Sequence, residues 1–219
     1  MARRARTITT VSHRQVKKPG GAKTTHPIKD QERRILFKNW FKNRFEKEAN
    51  QKKKAIFYRD YMIVMTGLYT AFRAEDLLQL TLKDVSGEWI DVKENKTGKV
   101  ASFPLSDDYR HALQEYASYL KLGPKDYLFN SSRPGCIQAV TRQRMDRVVK
   151  KACDEVGIGF TVGMHGLRKT FGYCCVSQWG FSTEDVRIFL NHSSAATTEH
   201  YIEWSRDDIA KERRKGVTI

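Results

Sequence analysis

From Gly87 to about Leu105 the hydrophobic period of this chain drops to two, in the middle of a pattern that is otherwise helical. EWIDVKE and KVASFPL alternate apolar with polar residues on either side of NKTG, a turn in which Gly98 can take the positive φ that closes a β-hairpin. Lys96 then sits at the exposed hairpin tip. A lone hairpin cannot bury a core by itself. The flanking segments must supply it, and the fold class expected is α+β, mainly helical, with a small antiparallel hairpin sheet.

Those flanking segments carry helical signals. DQERRILFKNWFKNRFEKEA places Ile35, Leu36, Trp40, Phe41 and Phe45 at helical intervals behind a candidate N-cap at Asp30. After QKKKAIF a second apolar helix runs through Tyr58, Tyr61, Met62, Val64, Met65 and Leu68. Gly67 and Thr70 mark the break that delivers Arg73 to the head of the next helix, whose Leu77, Leu78 and Leu80 face the core. Beyond the hairpin, a helix is expected from about Asp107 to Leu120 with Leu113, Tyr116 and Leu120 on one stripe. YLFNSSRPG reads as a short extended piece ending in a turn. A further helix, from about Ala139 to Val156, sets Arg142, Arg144, Arg147, Lys150 and Lys151 around a seam of Met145, Val148, Val149 and Ala152.

Charge narrows the class of partner. Across 219 residues the formal net charge is +15, and the sequence pI is about 9.7. A polyanion is the simplest cause, so double-stranded DNA is the partner expected, with Arg142, Arg144, Arg147 and Lys150 contacting backbone phosphate. No apolar run approaches the ~20 residues that a membrane span needs, and the first residues lack the apolar core of a secretory signal. The four cysteines include no C-x-x-C pair, and Cys174 and Cys175 are adjacent, which resembles neither a zinc site nor a disulfide framework. A cytoplasmic location follows as the expectation. Residues 1–25 carry seven Lys or Arg and no acid, and read as a disordered basic arm.

The chemistry concentrates between Met164 and Trp204. His165 and Arg168 stand at i and i+3 and share a helix face. His192 follows, and SSAATTEH reads as a helix start that carries Tyr201. One nucleophile thus lies near two imidazoles and a guanidinium, an inventory suited to phosphoryl transfer. Arg73 and Arg168 can each present a planar fork to non-bridging phosphate oxygens. A free tyrosine has a pKa near 10, so the Tyr201 hydroxyl must lose its proton as it attacks, and His165 is the natural acceptor.

The order HGLR, LNHSS, TTEHYI, preceded by Arg73 in TGLYTAFRAEDLLQL and Lys96 in IDVKENKTGKVASFPL, resembles the tyrosine recombinase (phage integrase) family from about His26 to Trp204. The resemblance implies a catalytic domain over 26–204 that cleaves and rejoins DNA strands through a covalent 3′-phosphotyrosine. Its catalytic set would be Arg73, Lys96, His165, Arg168, His192 and Tyr201, with Tyr201 the nucleophile and Lys96 protonating the departing 5′ oxygen. Lys93 and Lys99 are substitutes for Lys96 on the same hairpin. Asp76 would orient a catalytic residue. No cofactor and no metal is expected, because the boxes hold no carboxylate cluster of metal-ligand type.

By the same resemblance, a homo-oligomer, a tetramer on synapsed DNA, would form, with a monomer in its absence. The tail over 205–219 would either fold back on its own domain or pass to a neighbouring subunit. Family integrases usually carry a helical N-terminal domain that closes around DNA; only the arm precedes the first helix here, which implies a catalytic-domain-only member or a clamp supplied by a partner. Asn191 stands where many relatives have Gly before the His. A type IB topoisomerase and an inactive integrase-derived DNA-binding protein are the alternatives; His165 in the His-x-x-Arg box speaks against the first and the full set of side chains against the second.

Overall fold

Side-chain caps fix where most of the helices begin. In the computed structural model, which describes residues 24–131 and 138–210, Asp30, Asn50, Ser106, Thr141, Ser182 and Ser194 each accept a backbone N–H from the first turn that follows. The helices so started are α1 (Gln31–Glu46), α2 (Gln51–Tyr69), α4 (Asp107–Leu120), α5 (Arg142–Glu155), α7 (Thr183–Phe189) and α8 (Ala195–Ile202). Two more, α3 (Ala74–Leu78) and α6 (Gly163–Ser177), begin without a side-chain cap. The expected basic arm lies outside the described residues up to residue 23, as do Cys136 and the tail beyond residue 210.

The hairpin is present where the period of two placed it. Strand β1 (Trp89–Lys93) pairs antiparallel with β2 (Val100–Pro104), and Gly98 adopts φ +69 in the turn. This two-stranded sheet among helices bears out the α+β expectation. The extended piece at 127–130 is held by isolated bridges, Thr81 to Tyr127 and Asn130 to Ala139.

Helix α6 is the axis of the fold. Of its residues Gly163 to Cys175, all but His165 are buried. One side packs on α2 and α5, in the main core with Phe37, Met62, Leu77, Met145 and Leu167. The other side packs on α7 and α8 in a second cluster built from Phe171, Cys175, Val186, Leu190 and Ile202. A helix hydrophobic nearly all round is expected where two layers share one element.

The stripe expected on α1 needs a correction. Ile35 and Leu36 are 44% and 53% exposed, whereas Arg34, Phe37 and Phe41 are buried. The cause is Arg34, whose Nη1 donates to the carbonyls of Ile28 (2.7 Å) and Lys29 (2.5 Å), where the chain enters the helix. Satisfying those carbonyls turns the 34/37/41 stripe inward and the 35/36 pair outward. Of the other expected core positions, Leu77, Leu78, Leu80, Leu113, Tyr116, Met145, Val149 and Ala152 are buried, while Leu120 and Val148 are half-buried.

Candidate active site

Four separate elements deliver the site. Helix α2 stops at Thr70, whose hydroxyl donates back to Thr66 O at 2.9 Å, and an extended run then carries Ala71 and Phe72 through the core. Arg73 follows at the N-cap of α3 in a β conformation. Helix α6 supplies His165 and Arg168 one turn apart, as their spacing predicts. Asn191 adopts φ +52 after α7 and swings the chain to His192, while α8 presents Tyr201 on its last turn.

Arg168 is the most deeply set of these groups. Its side chain is 3% exposed, and its Nη2 donates to the Leu190 carbonyl at 2.7 Å, which ties α6 to the end of α7. Its Nε and Nη1 and the Tyr201 hydroxyl are buried without a well-formed hydrogen bond, although the guanidinium stands close enough to the hydroxyl to favour its ionised form. Such orphans cost on the order of 1–3 kcal/mol each, so they mark a place where an acceptor is meant to bind. Arg73 pairs with Glu94, and the same carboxylate oxygen lies 3.9 Å from Arg168 Nη1.

Tyr201 stands edge-on between two imidazoles. Its ring centroid is 5.1 Å from that of His165, at 85°, and 4.8 Å from that of His192, at 78°. Burial lowers both histidines to a pKa of about 4, helped by Arg168 beside each, so both rings are neutral near pH 7. The Thr198 hydroxyl donates to Ser194 O (3.3 Å), which makes His192 Nδ1 the donor to Thr198 Oγ1 (3.1 Å) and leaves its Nε2 as an acceptor. Burial pushes Tyr201 up to about 12, against the pull of the Arg168 and Arg73 charges. A hydroxyl so weakly acidic could act as a nucleophile only with a base beside it, and two neutral imidazoles flank its ring.

Asp76, 3% exposed, accepts the Asn95 N–H at 3.0 Å through Oδ1, while its Oδ2 has no partner. It therefore holds the hairpin turn next to Lys96, and its charge also acts on Arg168. Lys96 is exposed at the hairpin tip, and Lys93 and Lys99 are exposed as well.

The basic face of α5 is largely engaged within the chain. Arg144 binds Asp60, itself 2% exposed, at 2.8 and 3.1 Å; Arg142 pairs with Glu75 (2.6 Å) and Asp146 (3.4 Å); Lys150 pairs with Asp154 (2.5 Å). Arg147 donates within its own helix, at Gln143 O (3.3 Å), and has no carboxylate partner among the described residues.

Three charged residues at the site were not singled out from the sequence. Glu94 is 2% exposed at the end of β1. The hairpin's alternation carried the signal: with Ile90 and Val92 inward, position 94 is inward too, and an acid there is anomalous. Lys169 donates to Glu203 Oε1 at 3.2 Å and stands 5.5 Å from the Tyr201 ring centroid. Glu203 caps α8 in the left-handed region (φ +58) and accepts His26 Nδ1 at 2.9 Å. Lys29 reaches both the Glu203 carbonyl (2.5 Å) and Asp208 (2.8 Å), and Asp208 also accepts Tyr173 OH at 2.9 Å. The described part of the tail, to residue 210, thus folds back on its own domain.

Among the described residues no three His, Cys, Asp or Glu side chains gather in an arrangement that could hold a metal ion, and no helix is long and apolar enough to cross a membrane.

Comparison with known proteins points the same way as the geometry. The model of the phage integrase family matches residues 49–207. A probable integrase/recombinase of Bacillus subtilis, YoeC, is 33% identical over 150 residues, which is 68% of this chain and 80% of that protein. A tyrosine recombinase of Pseudothermotoga lettingae is 27% identical over 146 residues, 66% of this chain; the chain spans about half (49%) of that relative. In fold, the chain is similar to the XerH site-specific recombinase in a post-cleavage complex on palindromic difH substrate, with a TM-score of 0.66, 22% identity, and coverage of 86% of this chain and 52% of that one.

Proposed function

The chain belongs to the phage integrase family, as a tyrosine recombinase catalytic domain, and from that premise we propose how its own residues perform site-specific breakage and rejoining of double-stranded DNA. The observation that carries the reading is the convergence of unsatisfied buried groups: Arg168 Nε and Nη1 and the Tyr201 hydroxyl, set beside two neutral imidazoles. A scissile phosphate supplies the acceptors those donors lack. Its non-bridging oxygens meet the guanidinium forks of Arg73 and Arg168, which stabilise the charge that builds as the phosphorus becomes five-coordinate.

Tyr201 Oη attacks phosphorus as its proton passes to His165. The P–O5′ bond breaks, Lys96 protonates the departing 5′ oxygen, and Tyr201 is left bonded to a 3′-phosphate. His192, whose Nδ1–H is held by Thr198, keeps Nε2 as an acceptor and so accepts from the Tyr201 hydroxyl rather than bonding the phosphate. Conserving the phosphoester in the phosphotyrosine lets a second 5′ hydroxyl reverse the steps and join a new strand. Charge stabilisation comes from side chains, with no metal in the reaction. Phosphate contacts outside the site fall to the least engaged cation of α5, Arg147, more than to Arg142, Arg144 or Lys150. On synapsed DNA the active form is a homo-oligomer.

The test is covalent capture. A nicked duplex containing the target site, from which the short cleaved fragment diffuses away, should accumulate a protein–DNA adduct in excess chelator. Tyr201→Phe should bind the duplex and form none. Loss of the adduct in chelator, with recovery on adding Mg²⁺, would contradict the mechanism.

A further inference from the structure

Glu94 is a buried carboxylate that the reaction as set out above does not use. It is 2% exposed, at the junction of β1 and the turn that carries Lys96. Its Oε1 pairs with Arg73 Nη1 and lies 3.9 Å from Arg168 Nη1. Its Oε2 accepts the Thr97 hydroxyl at 2.5 Å. Its main chain closes the turn, with Glu94 N–H donating to Lys99 O and Gly98 N–H donating to Glu94 O, each at 2.8 Å. The next residue, Asn95, donates its N–H to the buried Asp76. Residues 95–99 are all exposed, so the turn has no core packing of its own. Two buried carboxylates are what hold it.

We propose that Glu94 is a positioning residue, a carboxylate seated between Arg73 and Arg168 that fastens the Lys96 turn to the arginine pair. The proposal rests on the assignment of Lys96 as the acid and Tyr201 as the nucleophile. Burying a carboxylate is unfavourable unless it is paired and hydrogen-bonded, and Glu94 meets both conditions only while the turn and the arginines are in register. The turn that must bring a proton to the 5′ oxygen is thereby located by the same groups that locate the phosphate. Arg168 Nε makes no well-formed hydrogen bond, so Glu94 leaves a donor of that guanidinium open to an acceptor.

The experiment compares two nicked duplexes, one with the natural 5′ bridging oxygen at the scissile phosphate and one with sulfur in its place. A thiolate leaves without a proton, so the sulfur duplex does not need the acid. Glu94→Gln and Thr97→Val are read beside the unaltered chain for adduct rate, duplex affinity and thermal unfolding. Thr97 is exposed and its substitution keeps the fold, so the second variant carries the test if Glu94→Gln does not fold.

Both variants should slow cleavage of the oxygen duplex, Glu94→Gln by roughly 10²-fold as for a group displaced by about 1 Å, with the sulfur duplex cleaved within a few-fold of the unaltered rate and affinity unchanged. Equal slowing on both duplexes would overturn the proposal by placing the effect on the arginines or the fold. Faster cleavage would overturn it by making Glu94 a competitor of phosphate, and unchanged rates would also overturn it. An unaltered chain that forms no Tyr201-dependent adduct would remove the underlying reading, and that result is visible before any Glu94 variant is made.

Discussion

Gly172 of α6 and Ile202 of α8 meet so closely that a Cβ on the glycine would lie 2.7 Å from Ile202 Cγ2, with Leu190 and Val186 at 3.4 Å on the same side. Ile202 is the neighbour of Tyr201, so this contact sets how deeply the helix of Tyr201 seats against the helix that carries His165 and Arg168. Gly172→Ala should destabilise the domain by about 1–3 kcal/mol, as overpacking does, and slow adduct formation by roughly 10²-fold through the displaced tyrosine. Thermal unfolding and single-turnover cleavage measure the two effects; a variant with normal cleavage would remove α6–α8 packing as the determinant of Tyr201 placement.

Arg144 and Arg147 should part company. Arg144→Ala leaves the buried Asp60 with Arg59 alone and should cost about 1–3 kcal/mol of stability. Arg147→Ala should leave the unfolding temperature unchanged, weaken DNA binding and reduce its salt slope by about one. Titrations at several salt concentrations, paired with melting curves, distinguish the two roles, and an Arg144→Ala variant of normal stability would contradict the structural assignment.

The imidazoles give a prediction in pH. Burial holds His165 and His192 at about 4 in the fold, below the ordinary imidazole value of 6.5. Between those values the unfolded chain binds more protons than the folded one, so the stability these residues contribute is present above about 6.5 and is lost as pH falls through about 4. Acid titration of the unfolding temperature should therefore show a decline across that window that is reduced in a His165→Gln, His192→Gln double variant. Cleavage should not lose activity through a step near 6.5; such a step would show that one ring is protonated where the structure holds it neutral.

Legibility followed the kind of signal each residue gives. Arg73, His165, Arg168, His192 and Tyr201 are far apart in sequence but ordered, and ordered boxes suffice to predict a shared site. The hairpin was readable because a period of two is unmistakable against helical spacing. The α1 stripe was misread because both Ile35 and Leu36 look like core residues, while the residue that decides the helix's rotation is an arginine satisfying two carbonyls. Glu94, Lys169 and Glu203 escaped because their roles depend on distant partners, Lys169 on Glu203 34 residues away and Glu203 on His26 177 residues away, or on a turn's interior, as with Glu94 and Thr97. Likewise the sequence shows the cations of α5 but not their carboxylate partners on α2, on α3 and within α5 itself.

Whether Tyr201 is the group that attacks DNA is read most directly by digesting the trapped adduct and sequencing the peptide that carries the nucleotide. The fragment containing Tyr201 should bear a 3′-phosphotyrosyl link. A link on Tyr173, whose hydroxyl is instead bound to Asp208 at 2.9 Å, or on any other residue, would contradict the account.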